Sequence, residues 1–331
     1  MEPTRLPQVT DVQASLPAIH VSLSRAGVTN VEKVTRIGPP GAEQLYYVKL
    51  DCFVELGPRQ KGAHMSRFEE VINDVIGEVV LGEGSFRAEQ LAQRIAVEVR
   101  ERQDAVRAEA TIAARYPEHK PAPVSGIATQ EIYSLFGSAV ASERGTRRLV
   151  GVAAQGMTAC PCAQELVAGR SRERLVADGF TDDEIASIFE AVPVATHNQR
   201  GLGTLHLGLP EECDTDVDAS ELLAIVEASM SSETYELMKR SDEAAVVERA
   251  ARRPRFVEDC VREAIRGVLQ RFGGLRDDAF VSARQENLET IHSHTVVAER
   301  FGLLGELRRE LDGKQHVAHH TTMRSWLDGA G

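Results

Sequence analysis

The chain has little of what an extracellular, membrane-bound or nucleic-acid-binding protein needs. Its five cysteines follow no regular framework, which excludes a disulfide scaffold. No second Cys pair at finger spacing accompanies Cys160 and Cys162, so a closed zinc tetrathiolate is excluded as well. No apolar run approaches the ~18 residues of a membrane span, and no apolar h-region follows a basic start. Lysine occurs only at positions 33, 49, 61, 120, 239 and 314, and the formal charge is -12. The clustered positive charge required by a general nucleic-acid binder or by a partner of anionic membranes is therefore missing. Gly201 to Gly203 reads as a turn, because no P-loop or dinucleotide fingerprint surrounds it. The expectation is a reduced, soluble, cytoplasmic protein with no nucleic-acid or membrane partner, whose phosphate site, if it has one, is local.

With 331 residues, 42% of them hydrophobic, the chain can build a sizeable core. Residues 1–18, with Pro3, Pro7 and Pro17, read as an extended arm. Val21 to Ile37 and Gln44 to Leu56 alternate partially and flank Gly38-Pro39-Pro40-Gly41, the pattern of a hairpin. Two amphipathic helices follow, one burying Phe68, Val71, Ile72, Val75 and Ile76, the other Leu91, Ile95, Ala96 and Val99. Strands are expected at Ala105 to Ala114, Thr129 to Ala141 and Arg147 to Ala154, the first of them ending before Tyr116-Pro117.

The second half runs through a capping box at Thr181 to Glu184, a strand at Gly203 to Leu209 and a helix capped by Ser220. A further helix includes Phe256, Val261 and Ile265; a strand over Ala279 to Thr290 and a helical, then polar tail complete it. Two successive strand-helix-helix-strand units predict an α+β fold, with antiparallel sheets carrying helices on one face. The boundary is placed after the Cys160 motif, giving units over 19–165 and 166–331.

Four polar clusters stand out: Cys160-Pro161-Cys162, Thr196-His197-Asn198-Gln199-Arg200, Ser232-Glu233-Thr234-Tyr235, and Glu289 with His292. A thiolate, an imidazole and a carboxylate make a ligand set suited to zinc or another first-row divalent ion, with a position left for water. Each residue also has a plainer reading. Glu233 is expected near a helix start, where the dipole alone favours a carboxylate, and His197 can simply hydrogen-bond in a loop. In an extended segment Glu289 and His292 would point to opposite faces, whereas one helical turn would bring them together. Cys52, Cys213 and Cys260 read as packing residues, and His316, His319 and His320 as a solvated tail.

Together with Lys61-Gly62-Ala63-His64-Met65-Ser66-Arg67-Phe68, Lys239-Arg240 and Phe256-Val257-Glu258-Asp259, these clusters resemble the type IB GTP cyclohydrolases and their archaeal MptA-type relatives. Those are metal enzymes that open the guanine ring of GTP at the start of pterin synthesis. The resemblance implies two tandem tunnelling-fold units, protomers that associate as a homo-oligomer, a tetramer, and one divalent metal per chain, with zinc, manganese and iron all open. It implies Cys160, Glu233 and His292 as ligands, His197 as a further ligand or proton carrier, Cys162 in an auxiliary role and Glu289 in an orienting or acid-base role. Glu248 is implied as the carboxylate that reads the guanine edge; the competing reading is a solvated helical Glu. For the triphosphate, Lys61, His64, Ser66, Arg67 and Arg200 supply donors and positive charge. The expected activity is hydrolysis of GTP at C8, releasing formate and giving 7,8-dihydroneopterin triphosphate. The competing outcomes are the 2',3'-cyclic phosphate of the MptA branch and a non-catalytic purine or pterin binder.

Overall fold

The computed structural model describes residues 11–38, 41, 43–80, 87–210, 213, 215–313 and 319–329. Pro3, Pro7, Pro39, Pro40 and His316 lie outside them. The chain forms two compact units, one comprising residues 1–114, 136–148 and 327–329, the other residues 115–135, 149–326 and 330–331.

The first unit opens with β1 (Leu23–Ile37) and β2 (Gln44–Leu56), an antiparallel hairpin in which Val34 faces Tyr47 and Ile37 faces Gln44. Along β2 every second residue from Tyr46 to Leu56 is buried, the period-2 signature of a strand with one covered face. The cover is α1 (Met65–Val80), packed on β1, and α2 (Ala88–Gln103), packed on β2. Their buried stripes, Phe68, Val71, Ile72 and Val75 on one and Leu91, Ile95 and Val99 on the other, are those the 3.6-residue period predicts. Each such side chain contributes about 1.5–3 kcal/mol on burial.

β3 (Arg107–Pro121) pairs with β2 from Ala108 to Ala114 and then continues through Pro117 rather than ending before it. The β2–β3 register ends at Val48 and Ala114, so the N–H that proline lacks interrupts no bond of that ladder. β4 (Ala128–Ser142) and β5 (Gly145–Ala159) follow. At Gly137 a Cβ would come within 2.3 Å of the Ala88 carbonyl carbon, so glycine there permits the close approach of β4 to the start of α2.

In the second unit, α3 (Pro161–Ala177) and α4 (Asp182–Ala191) precede β6 (Asn198–Pro210). The Thr181 to Glu184 capping box is present at the start of α4, with the Thr181 amide donating to Glu184 Oε2 at 2.8 Å. α5 (Ala219–Ser229) is capped by Asp218 rather than Ser220. The Asp218 carboxylate accepts both the Ser220 amide (2.9 Å) and its hydroxyl (2.8 Å), and a carboxylate outcompetes a hydroxyl for orphan amides.

β7 (Ser232–Glu233), α6 (Arg240–Arg252) and α7 (Val257–Arg271) lead into β8 (Phe280–Leu288) and β9 (Thr295–Leu303), and α8 (Leu304–Leu311) and α9 (Met323–Leu327) close the chain. β6, β8 and β9 pair antiparallel, with Thr204 opposite Arg284 and Ser282 opposite Phe301. α5 packs on β6 and α7 on β8 and β9. Among the described residues the nine strands follow the order β1-β2-β3-β4-β5-β6-β8-β9, with β7 added on β5. No helix among them is long and apolar enough to cross a membrane.

Candidate active site

β5 ends at Ala159 and α3 begins at Pro161, where proline's fixed φ and missing N–H suit a first helical position. Cys160 is therefore the N-cap, half-buried, with its sulfur accepting from the Ala163 amide at 3.5 Å. Cys162 lies in the first turn of α3 and is exposed. The Cys160 backbone locks onto the second cluster: its N–H donates to His197 O at 3.1 Å, and Thr196 Oγ1 donates to its carbonyl at 2.6 Å. Gln164 ties the same corner to α6, donating to Val194 O (3.1 Å) and Ala251 O (2.6 Å).

Glu289 and His292 sit in the bend joining β8 to β9, a geometry that is neither the strand nor the helical turn considered above. Thr290 fixes the near end of that bend by donating to Asn198 O at 3.1 Å, which brings Glu289 Oε2 to 3.9 Å from His197 Nδ1. That Glu289 oxygen is buried and has no hydrogen-bond partner among the described residues. His292 is exposed and stacks on His294, with ring centroids 5.1 Å apart.

Glu233 lies on β7, opposite Gly156 of β5, and not at a helix start. Its carboxylate is held by the Arg249 guanidinium. Burial, and after it the Glu233 charge, push the neighbouring Tyr235 phenol above its ordinary value, against a hydrogen bond with Arg249. Among the described residues no three His, Cys, Asp or Glu side chains converge as a metal-binding group. The thiol, imidazole and carboxylates do have the donor chemistry of a mixed divalent site, and the orphaned Glu289 oxygen beside His197 is what a cation or an imidazolium would satisfy.

A cleft of about 830 Å³ opens next to this corner, bordered by Ala159, Thr196 and Asn198 on one side and Arg240, Glu243 and Glu248 of α6 on the other. Its volume is in the range of nucleotide-sized sites. Glu248 is exposed and paired with Arg252 one turn on at 2.8 Å.

α6 is anchored at its start by Asp242, fully buried, whose carboxylate accepts the amides of Val124 and Ser125 (each 2.8 Å), the Ser125 hydroxyl (2.7 Å) and the Lys239 amide (2.8 Å). Burial alone would raise its pKa, but these bonds outweigh burial and hold the carboxyl far below the carboxylate range. Sequence reading assigned no role to Asp242, although its place three residues after Lys239 is a helix-start signal; nothing in the sequence announced Arg249.

Of the phosphate candidates, Arg200 is exposed on β6 opposite Leu288. The others belong to the first unit. Lys61 and Ser66 are exposed, His64 Nε2 lies 3.0 Å from Asp11 Oδ1, and Arg67 donates to Arg102 O at 2.9 Å, capping the end of α2. Cys52, Cys213 and Cys260 are buried, and burial pushes the thiols of Cys52 and Cys260 up to about 12.

Fold and site define an antiparallel α+β protein of the tandem tunnelling type, with a Cys-His-Glu corner beside a nucleotide-sized cleft. A hyper-thermostable uricase variant shares this fold at a TM-score of 0.51 and 7% identity, covering 94% of this chain and 98% of that one. The chain belongs to the Type I GTP cyclohydrolase folE2 family, whose sequence model matches residues 9–298. It is 39% identical over 312 residues to a GTP cyclohydrolase MptA of Methanococcus vannielii, covering 92% of this chain and 99% of that relative. It is 40% identical over 311 residues to the GTP cyclohydrolase MptA of Methanosarcina mazei, covering 91% and 96%.

Proposed function

We propose that the chain is a metal-dependent GTP cyclohydrolase that hydrolyses GTP at C8 and releases formate. The observation that carries the reading is the corner itself: Cys160 joined to His197 by a backbone bond, and Glu289 brought to the His197 ring by the Thr290 hydroxyl on Asn198 O, beside a cleft lined by Glu248. Cys160, Glu233 and His292 are the residues that would hold one divalent ion, zinc, manganese or iron, with His197 beside it as the proton carrier. When bound, such an ion supplies Lewis acidity, bringing the pKa of a water from 15.7 to about 7.

The protein's own groups do the rest. Glu248 offers two coplanar acceptor oxygens to the guanine N1–H and exocyclic amine, fixing C8 at the Cys160 end of the cleft. His197 takes up the proton lost by each attacking water and returns it to the departing nitrogen: the first addition at C8 opens the ring to a formamide and a second water cleaves the remaining C8–N bond to free formate, while the Glu289 carboxylate, facing Nδ1, stabilises the transient imidazolium. Arg200 and Arg240 are placed to meet phosphate oxygens.

Our first reading of the product is 7,8-dihydroneopterin triphosphate. The second, the 2',3'-cyclic phosphate, is favoured by the identity to relatives named MptA. Homo-oligomerisation, as a tetramer, is supported by β1 and β9, which end the strand order with open edges among the described residues. The cytoplasm fits a chain whose five cysteines follow no regular disulfide framework. Incubation of metal-loaded protein with GTP tests the activity: formate should accumulate in step with a dihydropterin absorbance, and bound GTP that yields no formate would leave only a binding protein.

A further inference from the structure

Outside the cleft, a groove of about 590 Å³ runs between α5 and α7. Ile225 and Gly267 give it an apolar floor, and its rim carries Arg253, Arg255, Arg266 and Arg271 against the two carboxylates Glu221 and Glu263. Glu221 pairs with Arg271, while Glu263 is shared by Arg266 and, at 3.2 Å, Arg255. Four cations against two anions leave two positive charges in excess.

The excess is concentrated at one point. Arg253 and Arg255, either side of Pro254, both donate to the carbonyl of Ala228 at the C-terminal end of α5, and Arg255 donates also to Ser229 O at 2.6 Å. A helix C-terminus presents only about half a negative charge, so two guanidinium groups on one carbonyl still repel. Burial, and then the Arg253 charge, lower the Arg255 pKa from its ordinary value. An anion seated among Arg253, Arg255 and Arg266 would relieve that repulsion, and planar guanidinium forks match phosphate oxygens in pairs. The excess of two matches a phosphate monoester, which carries about -1.5 to -2 near neutral pH. The apolar floor beside it leaves room for an organic body.

We propose that this groove binds the phosphate group of a small molecule, separately from the GTP cleft. Calorimetric titration of the full-length protein with phenyl phosphate and with inorganic phosphate, at one fixed ionic strength, tests it. Each probe should saturate with one ligand per chain, and a double Arg253→Gln, Arg266→Gln variant should bind about tenfold more weakly or worse. Gln270→Glu, on the exposed rim, adds a charge that repels the ligand without removing an arginine, and should weaken binding too if the double variant fails to fold. Arg240→Ala, which removes a cation from the wall of the GTP cleft, should bind both probes as the parent does. Phenyl phosphate binding markedly tighter than phosphate supports the site with an ester as its source, and equal affinities support it with free phosphate. No binding by the parent, undiminished binding by the folded variants, or loss of binding in Arg240→Ala would overturn it.

Discussion

Glu289 Oε2 lies 3.9 Å from His197 Nδ1, buried and without a hydrogen-bond partner among the described residues. An orphaned buried oxygen costs about 1–3 kcal/mol, and a positive charge arriving on His197 is what would recover it. Glu289→Gln keeps the shape and removes the charge. Formate release should fall by about 10²- to 10⁴-fold, the scale of acid-base catalysis, with GTP affinity by calorimetry within about twofold and a melting temperature no lower than the parent's. Unchanged turnover would remove Glu289 from the chemistry.

Cys160, Glu233 and His292 come from three separate segments, and a shared ion is the reason to group them. Cys160→Ala, Glu233→Ala and His292→Ala should each lower the metal content, from about one divalent ion per chain, together with activity. Glu248→Ala should keep its metal and lose GTP affinity, because the proposed reading makes it the anchor of the base in the cleft it lines. Elemental analysis paired with GTP titration separates the two groups; three variants with normal metal content would dissolve the proposed ligand set.

Asp242 joins the 124–125 turn to the start of the helix that carries Glu248. Its folded pKa is depressed, so its contribution to stability is present above the unfolded carboxyl value of about 3.9 and is lost as pH falls through the folded value. Asp242→Asn should melt several degrees below the parent at neutral pH, and that gap should hold down to about pH 5 and narrow below about pH 4. GTP binding should weaken more than turnover at saturation. A gap that widened in acid would contradict the sign of this linkage.

Elements whose hydrophobic period was clean were legible from sequence: the β1-β2 hairpin, the stripes of α1 and α2, and the capping box of α4. Where a local rule pointed one way and tertiary context another, the sequence misled. Pro117 reads as a strand end until the β2–β3 pairing is seen to stop before it, at Ala114, and Ser220 reads as a cap until Asp218 is seen to hold both of its donors. β7 was invisible because two residues carry no period, so Glu233 was placed by its neighbours at a helix start. The polar clusters announced the Cys160, His197 and Glu289 corner, since donor types are written in the sequence. Arg249 on Glu233 and the Val124 and Ser125 donors to Asp242 are contacts over sequence separations of 16, 118 and 117, and no local pattern encodes them.

The last prediction concerns the product. Closing a 2',3'-cyclic phosphate requires the ribose 2'-hydroxyl to be held in line with the α-phosphorus while pyrophosphate leaves, which demands a firm clamp on the inner phosphate. The cleft presents Arg240 on its wall, and Arg200 stands exposed on β6; if these two meet the phosphates, as proposed, they do so without an ion pair among those described to hold them in one geometry. Side chains of that kind give affinity without enforcing in-line geometry, and the triphosphate should leave intact. Phosphorus NMR of the GTP reaction should show three phosphate resonances persisting on the product with no free pyrophosphate. A cyclic phosphodiester signal growing together with pyrophosphate would place the chain's chemistry with the second reading, and Arg200→Ala and Arg240→Ala should then abolish cyclisation before they abolish formate release.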